Sequence, residues 1–277
     1  MIKYRHAYHA GNFADVHKHV TLAALIEALE RKDKGFQYLE THAGRGAYDL
    51  ESAPAAHART AAIERVLAAA PSHPELAAYA RVLGELRARA GNPHAYPGSP
   101  LVAAGLLRPQ DRAVLIEALA TEAESLRSAL PRPLRAQVVQ ADGFERLRAF
   151  LPPPERRGLT FIDPPYEETR EDFARAERAV REALQRFQTG VIAQWYPIKD
   201  ARDIEPWLAG LRARLTPEIL VGELWLHPRD SRVALNGSGM LILNPPYGLA
   251  ERMHLWLPAL HGLLDPQRVG GASVRLL

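Results

Sequence analysis

The sequence predicts an α/β fold: one mostly parallel, seven-stranded sheet that ends in a C-terminal antiparallel hairpin and carries a helical insertion. Three observations lead there. Short apolar runs ending in polar or turn residues alternate with stretches of helical spacing, the pattern of a sheet covered by helices on both faces. The last two strand-like runs follow one another with no convincing helix between them. The first and second runs are separated by far more chain than one crossover helix needs.

Taken in order, the strands are expected at Gln37–Thr41, Ala113–Glu117, Ala136–Gln140, Leu159–Asp163 and Val191–Trp195, then Glu218–Leu226 and Met240–Asn244 as the hairpin. Each is a short apolar run closed by polar residues. The long interval, residues 48–97, reads as an inserted helical subdomain within a single domain of 277 residues. Ala58–Ala70 and Pro74–Ala90 have helical composition, with breaks at Pro71-Ser72-His73-Pro74 and Gly91-Asn92-Pro93. Its arginines, Arg59, Arg65, Arg81, Arg87 and Arg89, suit either a phosphate-binding face or an ordinary solvated helix face.

Hydrophobic residues at 47% and charged residues at 24% are the balance of a globular chain. No apolar run approaches the roughly 20 residues that span a bilayer, and the N-terminal stretch is too polar for a signal peptide, so a cytoplasmic protein is expected. The absence of cysteine excludes disulfide scaffolds, thiolate metal sites and cysteine nucleophiles. A formal charge of +3 is compatible with a polyanionic partner. Only five of the 35 basic residues are lysine, however, which fits a general compositional bias equally well.

Ligands of open α/β sheets bind beyond the carboxyl ends of the strands, so the residues just after each strand carry the functional reading. Asp163-Pro164-Pro165-Tyr166 closes the fourth strand and fits the motif of enzymes that methylate exocyclic amines. The N6 lone pair of adenine is delocalised into the ring, and acceptors that hold its hydrogens restore nucleophilicity. Asp163 and the Pro164 carbonyl are candidate acceptors, and a carboxylate there also takes the proton that the nitrogen sheds. Tyr166 offers a face for an unstacked base. A rigid turn after a strand is the plain alternative. A second copy, Asn244-Pro245-Pro246-Tyr247, follows the last strand. It is expected to be non-catalytic, because Asn244 accepts no proton and the hairpin lies away from the first strand.

On the cofactor side, Glu40-Thr41-His42-Ala43-Gly44-Arg45-Gly46 begins at the end of the first strand, where small residues admit a ligand close to the backbone. A dinucleotide-binding turn is the competing reading, but Asp49 stands where its third glycine belongs. Glu117 ends the second strand, placed for ribose hydroxyls, and Asp142-Gly143-Phe144 follows the third, placed for an adenine ring. Either acid taken singly is equally well a helix N-cap. Together these strand ends and the reversed terminal hairpin predict a class I, Rossmann-like methyltransferase fold.

With those residues assembled, the chain resembles the bacterial 23S rRNA adenine-N6 methyltransferase family, RlmJ, over nearly its whole length. The resemblance is carried by Tyr4 through His19, Thr41-His42-Ala43-Gly44, Tyr96-Pro97-Gly98-Ser99-Pro100, Ala141-Asp142-Gly143-Phe144 and Asp163-Pro164-Pro165-Tyr166. It implies a helical insertion, an N-terminal segment folded over the active site, S-adenosyl-L-methionine as cofactor and no metal. It further implies that His19, His42, Ser99, Glu117, Asp142 and Gly143 contact the cofactor, joined by Lys18 toward the cofactor carboxylate. Asp163 acts in catalysis and, with Gly44, is also expected to border the cofactor, and Tyr4 touches the RNA. The implied partner is 23S ribosomal RNA, bound by a monomer without membrane or metal. His17 and His19 with His6 and His9 invite a metal-site reading, but a two-residue spacing points the first two to different faces of a helix. A DNA adenine-N6 or cytosine-N4 methyltransferase, and a non-catalytic nucleic-acid-binding protein, are the rival functions.

Overall fold

The computed structural model describes residues 10–51, 56–166, 169–229, 231, 233 and 235–277. Helix α1, Phe13–Glu30, opens the described chain. Asn12 caps it by accepting the Asp15 amide at 2.9 Å, and Asp15 reaches back to the Gly11 amide at 3.0 Å. This reciprocal pairing satisfies two donors that a helix start leaves open. Nearly every residue of α1 is buried, including Asp15, His17, Lys18, His19 and Thr21. A helix buried on all sides lies inside the fold rather than on it.

Strand β1, Gln37–Glu40, sits mid-sheet between β4, Arg112–Glu117, and β6, Gly158–Ile162, parallel to both. Strand β5, Ala136–Gln140, extends the parallel set beyond β4, and β7, Val191–Ile198, beyond β6. The hairpin follows: β9, Gly237–Leu243, lies antiparallel between β7 and β8, Ile219–Trp225, with no helix joining β8 to β9 among the described residues. The expected seven-strand count is corrected to eight. Strand β10, Gly271–Leu276, adds antiparallel to the edge of β8, giving the order β10-β8-β9-β7-β6-β1-β4-β5. Two neighbouring glycines and a half-exposed edge hide the alternation that would have marked β10. A separate two-stranded ribbon pairs β2, Ala47–Asp49, with β3, Ala95–Pro97.

Between β2 and β3 run α2, Ala56–Ala69, a 3₁₀ turn at Ala70–Ser72, and α3, Pro74–Ala90. Gly91 ends α3 in the left-handed region at φ 59°, a conformation glycine adopts at little cost. Four arginines of this segment fasten the protein to itself. Arg59 donates to the Ala10 carbonyl, Arg65 to that of Leu263, Arg81 to that of Gly105, and Arg87 to Glu64.

The sheet has a core on each face. On one, Phe161, Ala193, Met240 and Leu224 pack with Val16, Val20 and Leu25 of α1 and with Trp256 of α9, Leu249–Leu264. On the other, Ile162, Ile192 and Leu241 pack with Val180 of α7, Thr169–Arg186, and Leu208 of α8, Ala201–Arg214. No helix among the described residues is long and apolar enough to cross a membrane.

The C-terminus of α1 is tied to the lower edge of the sheet. Arg157 donates to the carbonyls of Leu29 and Lys34, and Arg108 to those of Glu30 and Lys32. These cations meet the open carbonyls and the negative end of the helix dipole. Arg108 is held in turn by Asp111, which is fully buried and accepts the Phe36 amide at 3.1 Å, the Arg108 amide at 2.9 Å and two guanidinium bonds. Asp111→Ala strips all four donors of their acceptor and should cost about 3 kcal/mol of stability. Urea unfolding of the variant measures this, and a loss under about 1 kcal/mol would reject the clamp.

Candidate active site at the strand ends

Four neighbouring strands each finish in a carboxyl group. In sheet order these are Asp142 after β5, Glu117 ending β4, Glu40 ending β1 and Asp163 after β6. Parallel strands lie about 4.8 Å apart, so the row spans roughly 14 Å along the carboxyl edge. Cross-links keep the strand ends level: the Thr41 amide donates to the Phe161 carbonyl, the Ala43 amide to that of Ile116, and the Ala141 amide to that of Glu117.

Asp163 is seven-eighths buried and accepts from the Lys18 ammonium at 2.5 Å. Lys18 also meets Asp15 at 2.9 Å, one helical turn back on α1. Burial alone drives a lysine toward its neutral form, but the two carboxylates outweigh it and hold Lys18 protonated far above neutrality. The ammonium also lies 5.6 Å from the centre of the Trp195 ring. Lys18 is thus engaged by two carboxylates and an indole of the protein itself.

Glu40 is wholly buried and accepts from the Ser99 hydroxyl, with Tyr38 beside it. Burial pushes its carboxyl up to about 8, and the charge of Asp163 adds to the rise against the opposing pull of Ser99, Tyr38 and Lys18. Glu40 opens the cofactor-side stretch read from the sequence but drew no role of its own there, although its place as the last residue of an apolar strand was the available signal. Ser99 opens α4, Ser99–Ala104.

His19 points away from His17, as their spacing requires. Its Nδ1 meets the Tyr96 hydroxyl at 3.1 Å, whereas His17 Nδ1 meets Ser238 Oγ at 2.9 Å on β9. His42 follows β1, with its Nδ1 2.8 Å from Thr41 Oγ1 and its ring edge-on to Phe144 at 4.7 Å. Burial lowers His42 to about 4, so it is neutral at physiological pH. Gly44 sits at φ 64°, and a Cβ there would meet the Tyr48 hydroxyl at 2.6 Å. The Gly44 amide donates to Glu117 at 2.8 Å, and the Leu119 amide donates to the other Glu117 oxygen at 2.8 Å. Those bonds fix the carboxylate plane.

Asp142 caps the short helix α6, Gly143–Arg146, by accepting the Phe144 and Glu145 amides, and pairs with Arg175 of α7 at 2.9 Å. The N-cap reading of this acid is therefore realised. At Gly143 a Cβ would stand 1.8 Å from the Thr41 carbonyl oxygen, so only glycine lets this turn lie against β1. Pro164 is buried. The Tyr166 hydroxyl donates to the Trp195 carbonyl at 2.8 Å and accepts from Gln194 at 3.1 Å, and its ring packs against Phe173 at 4.9 Å and Trp195 at 5.6 Å. Tyr4 lies outside the described residues, as do His6 and His9.

A protein-family model described as RsmJ, ribosomal RNA large subunit methyltransferase D, RlmJ, matches residues 33–277. Ribosomal RNA large subunit methyltransferase J of Escherichia coli K12 is 42% identical over 276 residues, covering 99% of this chain and 98% of the relative. The protein of the same description from Haemophilus influenzae is 37% identical over the same shares. The crystal structure of protein LPL1258 from Legionella pneumophila superposes with a TM-score of 0.85 at 37% identity, covering 97% of this chain and 98% of that one.

The raised Glu40 carboxyl gives stability a pH signature. In the unfolded chain the group ionises near its ordinary 4.5, whereas in the fold it keeps its proton to about 8. Its contribution is complete below the unfolded value and is lost as pH rises through about 8. Glu40→Gln keeps an acceptor for Ser99 without a charge. Melting temperatures from pH 5 to about 8 should fall for the parent relative to this variant. Parallel curves would mean that Glu40 does not hold the proton.

Proposed function

Because the chain belongs to the RlmJ family of ribosomal RNA large subunit methyltransferases, we propose that its strand-end carboxyl row binds S-adenosyl-L-methionine and methylates N6 of an adenine in 23S ribosomal RNA. The observation that carries this reading is Asp163, set by Lys18 at the end of β6 directly beside the terminus of β1. The residues present suit the cofactor. A row of carboxyls suits a ligand with a sulfonium, an ammonium and a ribose diol. Glu117 would take the ribose hydroxyls, Asp142 with Gly143 and His42 would border the adenine, and Ser99, His19 and Lys18 would border the amino-acid end. When bound, the cofactor supplies an electrophilic methyl group.

Asp163 and the Pro164 carbonyl accept the two N6 hydrogens of an adenine drawn out of its stack, which returns lone-pair density to nitrogen. Tyr166, held by Gln194 and the Trp195 carbonyl, offers its ring to the base. As N6 takes the methyl group, the carbon–sulfur bond that carried it returns its electron pair to sulfur, and the surplus proton on N6 passes to Asp163. The Lys18 ammonium, 2.5 Å away, orients the carboxylate for that step. Helices α2 and α3, within residues 48–97, serve in this reading as an inserted subdomain that braces α1. Tyr4 is assigned to the RNA.

Asp163→Ala should lower transfer of labelled methyl groups onto unmodified 23S rRNA by at least about a hundredfold. Calorimetric binding of S-adenosyl-L-methionine should stay within severalfold of the parent. Near-normal turnover would defeat the assignment of Asp163. Running DNA of the same sequence alongside separates the RNA reading from a DNA methyltransferase, and N6-methyladenosine should be the only labelled nucleoside.

A further inference from the structure

Beside Asp163 the sheet carries a second arrangement that the methyl-transfer scheme does not use. Gln194 of β7 pairs with Ile162 of β6, so Trp195 stands level with Asp163 on the neighbouring strand. It is the one residue of β7 that is not fully buried. Its three parts have separate partners. The carbonyl accepts the Tyr166 hydroxyl at 2.8 Å, the ring faces both Tyr166 and the Lys18 ammonium, and the indole nitrogen donates to Ser238 at 2.9 Å.

An indole nitrogen only donates, so Ser238 accepts from Trp195, and its oxygen also lies 2.9 Å from His17 Nδ1, donating or accepting there according to the imidazole tautomer. Burial, which lowers His17 to about 3, keeps that imidazole neutral throughout the working range. Both Ser238 and His17 are wholly inaccessible, and Nε2 has no hydrogen-bond partner among the described residues. A buried polar pair of this kind is a poor stabiliser compared with two apolar side chains. What it does supply is a fixed angle for the indole.

We propose that Trp195 is a positioning residue for methyl transfer, aimed by the Ser238–His17 relay so that its ring and carbonyl hold Lys18 and Tyr166 in register with Asp163. This rests on the assignment of Asp163 and Tyr166 above. Lys18 and His17 are adjacent on α1, so the helix that aims the indole also delivers the ammonium that the indole faces. A small rotation of the ring would move the ammonium and the base-facing tyrosine together, and sub-ångström to 1 Å errors in such geometry reduce rate more than affinity.

The test is a double-mutant cycle on the full-length protein, with 23S rRNA transcript as substrate and S-adenosyl-L-methionine binding measured by calorimetry. Ser238→Ala should lower kcat about tenfold, with KM for RNA and cofactor affinity within about twofold. Trp195→Phe, which keeps a ring but has no donor, should fall by a similar factor. The double variant should be no worse than either single one, since the hydroxyl acts only through the indole. Multiplicative losses in the double variant, or parental kcat in Ser238→Ala, would overturn the relay. If Ser238→Ala does not fold, the order parent, Trp195→Phe, Trp195→Leu in falling kcat carries the proposal, and parental kcat in Trp195→Leu overturns it. Asp163→Ala is run alongside: full turnover there rejects the underlying assignment. Full turnover in Trp195→Leu beside an inactive Asp163→Ala rejects the Trp195 role alone.

Discussion

One buried ammonium, Lys18, joins the N-terminal helix to the carboxyl edge of the sheet. Two carboxylates share it, Asp15 from its own helix and Asp163 from β6. An ion group this far from water is stable only with good geometry, because removing any member leaves an uncompensated buried charge. The geometry depends on the rotation and height of α1. Its start is set by the Asn12–Asp15 cap, and its end by Arg108 and Arg157 on the last carbonyls. Asp111 matters to the far edge for the same reason: it holds one of those clamps.

The rotation of α1 explains why so many of its polar residues are buried. Successive side chains turn by 100°, so His17, Lys18 and His19 reach three different neighbours: Ser238 on β9, Asp163 after β6, and Tyr96 on β3. Each contact restricts the same rotation. Glu40, the third acid beside Lys18, sheds its surplus charge by keeping a proton, so one lysine suffices for the cluster.

The parallel half of the sheet was legible because buried parallel strands are short apolar runs, and strand ends are where the chain turns polar. That placed Glu117, Asp142 and Asp163 at strand termini from the sequence alone. The edge strand β10 and the β2–β3 ribbon carry no such run and were missed. The insertion arginines were read only by charge, and charge does not reveal that Arg59 and Arg65 cap backbone carbonyls from remote segments. Trp195 and Ser238 were opaque for another reason. Their pairing joins positions 43 residues apart on antiparallel strands, and it follows from register, which a local pattern does not encode.

The two Pro-Pro-Tyr sequences show how topology decides what one motif does. Strand β6 runs parallel to β1 and delivers Asp163 to the carboxyl edge, whereas β9 runs antiparallel to β7, pairing Leu243 with Ile192, and delivers Asn244 to the opposite edge. There Asn244 adopts φ 52°, and its amide donates to the carbonyls of Gln188 and Gly190, each at 2.8 Å. Tyr247 is 96% exposed, in contrast to Tyr166 locked against Trp195. Partners explain the difference in the first residue. At position 163 a cation calls for an acceptor, and at 244 two carbonyls call for a donor. Exchanging the two residues would set an amide nitrogen or amide oxygen in place of a charge against Lys18, and a carboxylate against two carbonyl oxygens. The same Pro-Pro-Tyr frame thus meets a buried cation at one end of the sheet and fastens a turn at the other.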